Sequence, residues 1–138
     1  MAFKVYSWIV IVFTLVFIAC SASGEHEAVN STEIKSLSGN HNGIVVDVRT
    51  PEEFREGHLA QTDYHIDFLD DGFENKLDEL DKDQTYYLYC RTGNRSGQAR
   101  QVMKEKGFIS VYNIGGYQDL LDAGLHANDE SDQSKVNE

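Results

Sequence analysis

The sequence predicts an α/β domain built around a parallel sheet. Two observations carry this prediction. Cutting the 138-residue chain at its glycines, its single proline and its polar clusters leaves short apolar or aromatic runs that alternate with amphipathic segments. One of those runs, Tyr86 Tyr87 Leu88 Tyr89, stops at Cys90 and passes through a glycine-containing stretch into a helical pattern. The elements follow in order. Residues 44–48 (IVVDV) read as a buried strand. Pro51 opens a helical segment with Glu52, Glu53, Phe54 and Arg55, where its missing N–H costs nothing and the acids favour the helix dipole; the segment ends near Gly57. Residues 64–68 alternate weakly and form a candidate strand, while Phe73, Lys76, Leu77 and Leu80 have helical spacing. Residues 85–89 form the central strand. Residues 96–106 read as the next helix, with Ala99, Val102 and Met103 on one face, Lys104 and Lys106 near its end, and Gly107 as its stop. Residues 111–114 make another short strand, and Tyr117, Leu120 and Leu121 line a last helix ending at Gly124. The length suits one domain with a real core and is too short for two.

The segment Cys90 Arg91 Thr92 Gly93 Asn94 Arg95 Ser96 carries the chemistry. A cysteine at a strand end that faces the start of a helix sits among unpaired N–H groups at the positive end of the dipole, and both favour thiolate over thiol. Arg91 and Arg95 add two cations, so the loop suits an anion: the thiolate, a bound oxyanion or an adduct on sulfur. The competing reading is a buried, inert cysteine closing a core strand, and the glycine, the arginines and the following helix weaken it. A phosphatase-type cradle needs five residues between its cysteine and an arginine; here Ser96 holds that position and the arginine falls one residue early. The shorter ring of N–H groups fits a sulfur on the cysteine better than a whole phosphate.

From about residue 31 to residue 125 the chain resembles a single-domain rhodanese, a thiosulfate-type sulfurtransferase. Four ordered motifs carry the resemblance: Ile44 Val45 Val46 Asp47 Val48 Arg49 Thr50 Pro51 Glu52 Glu53 Phe54, then Glu56 Gly57 His58 Leu59, then the stretch from Cys90 to Ser96, then Ile114 Gly115 Gly116 Tyr117. The chain departs from the family pattern after His58, where Leu59 Ala60 Gln61 Thr62 Asp63 replaces a proline, glycine and alanine turn. The resemblance implies a central parallel sheet flanked by helices on both faces. It implies Cys90 as the catalytic residue, with Arg91, Thr92, Gly93, Asn94, Arg95 and Ser96 forming the loop that holds substrate and persulfide. Asp47 and Arg49 are then expected to form a structural ion pair that pins the loops near the site, and His58 to pack a loop. No cofactor is expected, because one low-pKa cysteine suffices for attack on a sulfur.

The first twenty residues stand apart. Lys4 precedes an almost wholly apolar run over residues 5–19, a short region of the secretory type. Phe17 Ile18 Ala19 Cys20 Ser21 loosely matches a bacterial lipoprotein box, so residues 1–20 are expected to be a signal whose cleavage leaves Cys20 lipidated. Cleavage near Ala22 or Gly24 to give a soluble periplasmic protein, and an uncleaved anchor, stand as alternatives. Residues 21–30 read as a linker and residues 126–138 as a disordered polar tail. If Cys20 carries lipid or leaves with the signal, Cys90 is the only thiol remaining, and a lone thiol outside the cytoplasm reads as one that is used. The formal net charge of −11 argues against nucleic acid and against an anionic membrane surface as partners. The five histidines show no ligand spacing with one another or with the cysteines, so no metal site is expected.

The sequence thus leads to a sulfurtransferase of the cell envelope that takes sulfane sulfur from thiosulfate or a similar donor onto Cys90 and passes it to a thiol or cyanide. A non-catalytic or redox binding module is the alternative of a different class. A phosphatase or arsenate reductase requires one more loop residue than this chain has.

Overall fold

A computed structural model describes Leu37 and residues 42–128. The expected signal, the linker with its neighbouring Cys20, and the tail beyond Asn128 lie outside the described residues. Among the described residues four strands form one parallel sheet: β1 (Ile44–Asp47), β2 (Tyr64–His65), β3 (Thr85–Cys90) and β4 (Ser110–Gly116), in the order β2-β1-β3-β4. Parallel neighbours need crossovers, and helices supply them: α1 (Pro51–Arg55), α2 (Phe73–Leu77) and α3 (Asn94–Glu105), with α4 (Tyr117–Asp122) after the last strand.

Alternation along the strands sorts the side chains into two cores. Val46 and Val48 near β1 join Tyr86, Leu88 and Cys90 of β3 on one face, where Phe73 and Leu77 of α2 and Ala99 and Met103 of α3 cover them. Val45, Tyr89 and Ile114 turn to the other face and pack with Leu37, Leu59, Leu120 of α4 and Leu125. Helices therefore lie on both faces, as expected, and Cys90 belongs to the row that α3 covers.

The strand order locates a crevice. From β1 the chain moves outward to β2 on one side, then crosses to β3 and β4 on the other. The direction of winding reverses between β1 and β3. In open parallel sheets ligands bind at such a switch point, beyond the carboxyl ends of the strands. Here those ends carry Asp47 and Cys90.

Several elements differ in extent from the sequence reading. The strand expected over residues 64–68 is only two residues long, and the helical spacing that reaches Leu80 supports a helix only to Leu77. The helix expected from Ser96 starts two residues earlier, because Gly93 adopts a left-handed φ of 86° that turns the chain into the helix without a side-chain cap. Asn94, Arg95 and Ser96 thus form a first helical turn and not a loop. The polar segment expected to be a disordered tail from His126 begins with three paired residues: Leu59 bridges to Ala127, the Ala60 N–H donates to His126 O at 2.8 Å, and the Asn128 N–H donates to His58 O at 2.8 Å. Between β3 and β4 the register shifts: Leu88 faces Asn113, whereas Tyr89 faces Gly115. Ile114 is the extra residue of a bulge, a feature that re-aims side chains beside active sites.

Candidate active site

Cys90 closes β3 with no exposed surface, and its Sγ lies at the mouth of the α3 N-terminal turn. The Gly93 N–H donates to Sγ at 3.1 Å and the Ser96 hydroxyl lies 3.4 Å away. Burial is the largest single influence on the thiol and pushes its pKa up. The Ser96 hydroxyl and the backbone N–H groups of Ser96, Thr92 and Gly93 together outweigh it, so the pKa is lowered. The donor groups that stabilise the thiolate are neutral.

Of the segment's arginines, Arg95 has a carboxylate partner. Arg95 joins Glu53 of α1 in a two-pronged ion pair, Nη1–Oε2 at 2.6 Å and Nη2–Oε1 at 2.8 Å. Hydrogen bonding by Arg95 holds the Glu53 carboxyl down at about 2, with the Thr50 N–H assisting. Glu53 also closes a capping box: its carboxylate accepts the Thr50 N–H at 3.1 Å, and the Thr50 hydroxyl accepts the Glu53 N–H at 3.4 Å. One carboxylate therefore ties the start of α1 to the start of α3. Arg91, Thr92 and Asn94 are exposed, and Asn94 Oδ1 accepts from Gln98. Of the two cations expected in this segment, Arg95 is paired with Glu53 and also feels the Cys90 sulfur electrostatically, while Arg91 is exposed.

The turn rests on the glycine pair at the end of β4. A Cβ on Gly116 would lie 2.9 Å from Arg91 O and 3.2 Å from Thr92 Cα, and a Cβ on Gly93 would lie 3.4 Å from Gly115 Cα. At Gly116 the close approach itself excludes a side chain, whereas at Gly93 the left-handed φ of 86° is what favours glycine. Asn113 fastens the same contact, donating from Nδ2 to Gly93 O at 2.9 Å and accepting the Ser96 hydroxyl at 2.7 Å and the Gly115 N–H at 3.1 Å.

Asp47 and Arg49 form the expected ion pair, fully buried, with Arg49 Nη2 on Asp47 Oδ2 at 2.6 Å. Arg49 Nη2 also donates to Gly57 O at 2.7 Å, and its guanidinium lies 4.2 Å from the Tyr117 ring centroid and 5.5 Å from that of Tyr89. The pair thus locks the His58 turn to the sheet. His58 stacks on Phe54 with ring centroids 4.0 Å apart; its Nδ1 lies 3.3 Å from Phe54 O and its Nε2 3.0 Å from Asn128 Nδ2. Both ring nitrogens are engaged in packing contacts, as a loop-packing role requires. Among the described residues no group of three or more His, Cys, Asp or Glu side chains is placed to hold a metal ion.

Sequence reasoning missed two residues. Glu53 carried a signal, the T-x-x-E spacing from Thr50. Asn113 carried none, because a single polar residue in a short apolar strand does not reveal a bulge.

Both the sequence and the fold have relatives among known proteins. The Rhodanese-like domain family matches residues 30–123. The chain is 33% identical over 75 residues to the thiosulfate sulfurtransferase PspE of Escherichia coli, covering 54% of this chain and 71% of that protein. It is 30% identical over 95 residues to a sulfurtransferase of Allochromatium vinosum, covering 64% of this chain and 83% of that one. It is 33% identical to the uncharacterized protein YqhL of Bacillus subtilis over 62% of this chain and 65% of that protein, so it spans just under two thirds of that relative. Among solved structures, the SSP1007 protein of Staphylococcus saprophyticus superposes with a TM-score of 0.59 at 28% identity, over 72% of this chain and 97% of that one. A rhodanese-like domain protein of Staphylococcus aureus gives 0.56 at 28% identity, over 70% and 92%. On the extent of the family match, and with its parallel sheet and strand-end cysteine in place, the chain belongs to the rhodanese-like domain family.

Proposed function

We propose that this protein is a sulfurtransferase that carries sulfane sulfur on Cys90. The observation that supports it most is the cradle itself: a cysteine at a strand end whose sulfur receives the Gly93 N–H and faces the Ser96 hydroxyl. In the first half-reaction the Cys90 thiolate attacks the outer sulfur of thiosulfate or a similar donor. The S–S bond of the donor breaks, sulfite leaves with the electron pair, and Cys90 becomes a persulfide. In the second half-reaction a thiolate or cyanide attacks that outer sulfur, and the Cys90 thiolate departs. A lowered thiol pKa serves both halves, because it raises the thiolate fraction and makes Cys90 the better leaving group. The backbone N–H groups around Gly93 offer the negative outer sulfur the same donors that hold the thiolate.

The test is intact-protein mass with and without thiosulfate, beside Cys90→Ser. A gain of about 32 Da that cyanide or dithiothreitol reverses, absent in the variant, is expected. No reversible gain with any sulfane donor overturns the proposal. The absence of exposed surface on Cys90 favours the second reading, a non-catalytic or redox module; that outcome would select it. The donor class is thiosulfate or another sulfane compound, and the acceptor a small or protein thiol. We also propose export, with lipid on Cys20 anchoring the protein to the bacterial cell envelope. This rests on the apolar run and the box at residues 17–21. Incorporation of labelled palmitate that Cys20→Ala abolishes is the expected result, and unchanged incorporation overturns it.

A further inference from the structure

The cradle holds one hydroxyl hydrogen and two acceptors for it. Ser96 Oγ lies 2.7 Å from Asn113 Oδ1 and 3.4 Å from Cys90 Sγ, and a serine hydroxyl has a single hydrogen to donate. The Asn113 amide is held in one orientation. Its Nδ2 donates to Gly93 O at 2.9 Å and its Oδ1 accepts the Gly115 N–H at 3.1 Å, and a flipped amide would set donor against donor and acceptor against acceptor. Oδ1 therefore faces Ser96. The bulge at Ile114 creates this arrangement, because the register shift follows Asn113 directly and the Asn113 side chain takes the Gly115 N–H. Ser96 itself has no exposed surface, so bulk solvent does not compete for its hydroxyl.

We propose that Asn113 is a positioning residue that competes with the Cys90 sulfur for the Ser96 hydroxyl hydrogen and thereby sets how readily the thiol ionises. With Cys90 as a neutral thiol, the hydroxyl donates to Asn113 Oδ1, the shorter contact. When the thiol gives its proton to solvent, the hydroxyl rotates about its Cβ–Oγ bond and donates to the thiolate. Asn113 Oδ1 then keeps the Gly115 N–H alone. No covalent bond other than the ionising S–H is broken. A hydrogen bond to an anion is about twice as strong as a neutral one, so the exchange favours the thiolate by the difference between the two bonds and not by the whole of the new one. Asn113 thus moderates the lowering of the thiol pKa that Ser96 supplies. Moderation has a chemical purpose, since a thiolate of lower pKa leaves faster in the release step but attacks more slowly, per thiolate, in the loading step.

The proposal rests on Cys90 as the nucleophile, but its test does not depend on sulfur transfer. The full chain is alkylated with iodoacetamide across a pH series, with the rate at Cys90 followed by peptide mass spectrometry because Cys20 is a second cysteine. Asn113→Ala removes the competing acceptor and frees the hydroxyl for the thiolate. Below the midpoint its alkylation is expected to be about threefold faster than wild type, with a lower plateau at high pH. In a Ser96→Ala background the same change is expected to give no acceleration. A purely structural role for Asn113 predicts the reverse, because losing the bond to Gly93 O loosens the turn and withdraws N–H groups from the sulfur. Slower or unchanged alkylation in Asn113→Ala, or acceleration that persists without Ser96, overturns the proposal. Should that variant fail to fold, Asn113→Asp gives the readout: its carboxylate holds the Ser96 hydrogen more strongly, and the slowing is expected to be larger with Ser96 present than absent. Equal slowing in both backgrounds overturns it.

Discussion

Two buried acidic groups sit at the carboxyl ends of adjacent central strands, and the protein treats them in opposite ways. Asp47, at the end of β1, is matched by a full cation: Arg49 grips it through Nε and Nη2 and stacks near two tyrosine rings. Cys90, at the end of β3, is matched by dipoles: a backbone N–H, a hydroxyl and the first turn of a helix. A buried ion pair is permanent, because separating it leaves an uncompensated charge in a poor solvent. Neutral donors stabilise an anion without pairing it off, so the sulfur stays able to move between thiol and thiolate. Arg95 follows the same division, for it is bound to Glu53 and ties the start of α3 to the start of α1. Arginine–carboxylate pairs build the frame of this site, and neutral backbone and hydroxyl donors face its sulfur.

The largest effect expected from this contrast is on stability at the paired anion. Arg49→Ala leaves Asp47 buried and alone and removes the donor to Gly57 O, which costs about 3–5 kcal/mol. Cys90→Ser, at an equally buried position, is expected to cost no more than about 1–2 kcal/mol, because the donors around it serve a hydroxyl as well. Urea unfolding of both variants decides the matter. Equal losses would mean that Cys90 is a scaffold element like Asp47, and the contrast would fail.

A smaller effect is expected where the frame meets the cradle. Gly116 has an ordinary φ of −93°, so alanine there is not strained; the obstacle is the backbone of Arg91 and Thr92 within about 3 Å of the new methyl. Overpacking of this kind costs about 1–3 kcal/mol. It also lifts the turn off the glycine pair and weakens the N–H donors, so alkylation of Cys90 below its midpoint should slow. A Gly116→Ala protein that is destabilised yet alkylated at the wild-type rate would show that the turn holds its shape without the glycine contact.

The frame was more legible in the sequence than the cradle. Strands β1 and β3 stand out as continuous apolar or aromatic runs, and Pro51 marks the start of α1, because these signals are local. The cysteine, the glycine and the following helix were equally visible. What was not visible depends on contacts between distant segments. The partner of Arg95 lies 42 residues away, so a sequence reading assigns its charge to the nearest anion and places it beside the sulfur. The helix expected from Ser96 begins at Asn94, because Gly93 makes the turn, and Ser96 holds its hydroxyl inside the cradle. Asn113 required a bulge, and a bulge leaves no trace in the residue pattern of a strand this short. The pairing of residues 126–128 with the His58 turn was hidden by the polarity of the segment.

The smallest effect, and the one that separates brace from cradle, comes from titrating Glu53. Its carboxyl is held at about 2 in the folded protein, by Arg95 first and the Thr50 N–H second, against an ordinary value of 4.5. A carboxyl whose pKa is depressed on folding contributes stability above its unfolded value and loses that contribution as the pH falls through the folded one. The window is therefore about pH 4.5 down to about pH 2. Because the pair is partly open to solvent, about 1–2 kcal/mol is the stabilisation expected to disappear across it. In Glu53→Gln the loss over this window should be absent, while stability at pH 7 is lower by a similar amount. If Arg95 is a brace and not a ligand of the sulfur, releasing it from Glu53 leaves the fold weaker but frees a guanidinium near Cys90. Alkylation of that variant below the midpoint should then be no slower than in wild type. A marked slowing would mean that the Glu53–Arg95 pair positions the N–H donors themselves, and the boundary between frame and reactive atom would have to be drawn inside the first turn of α3.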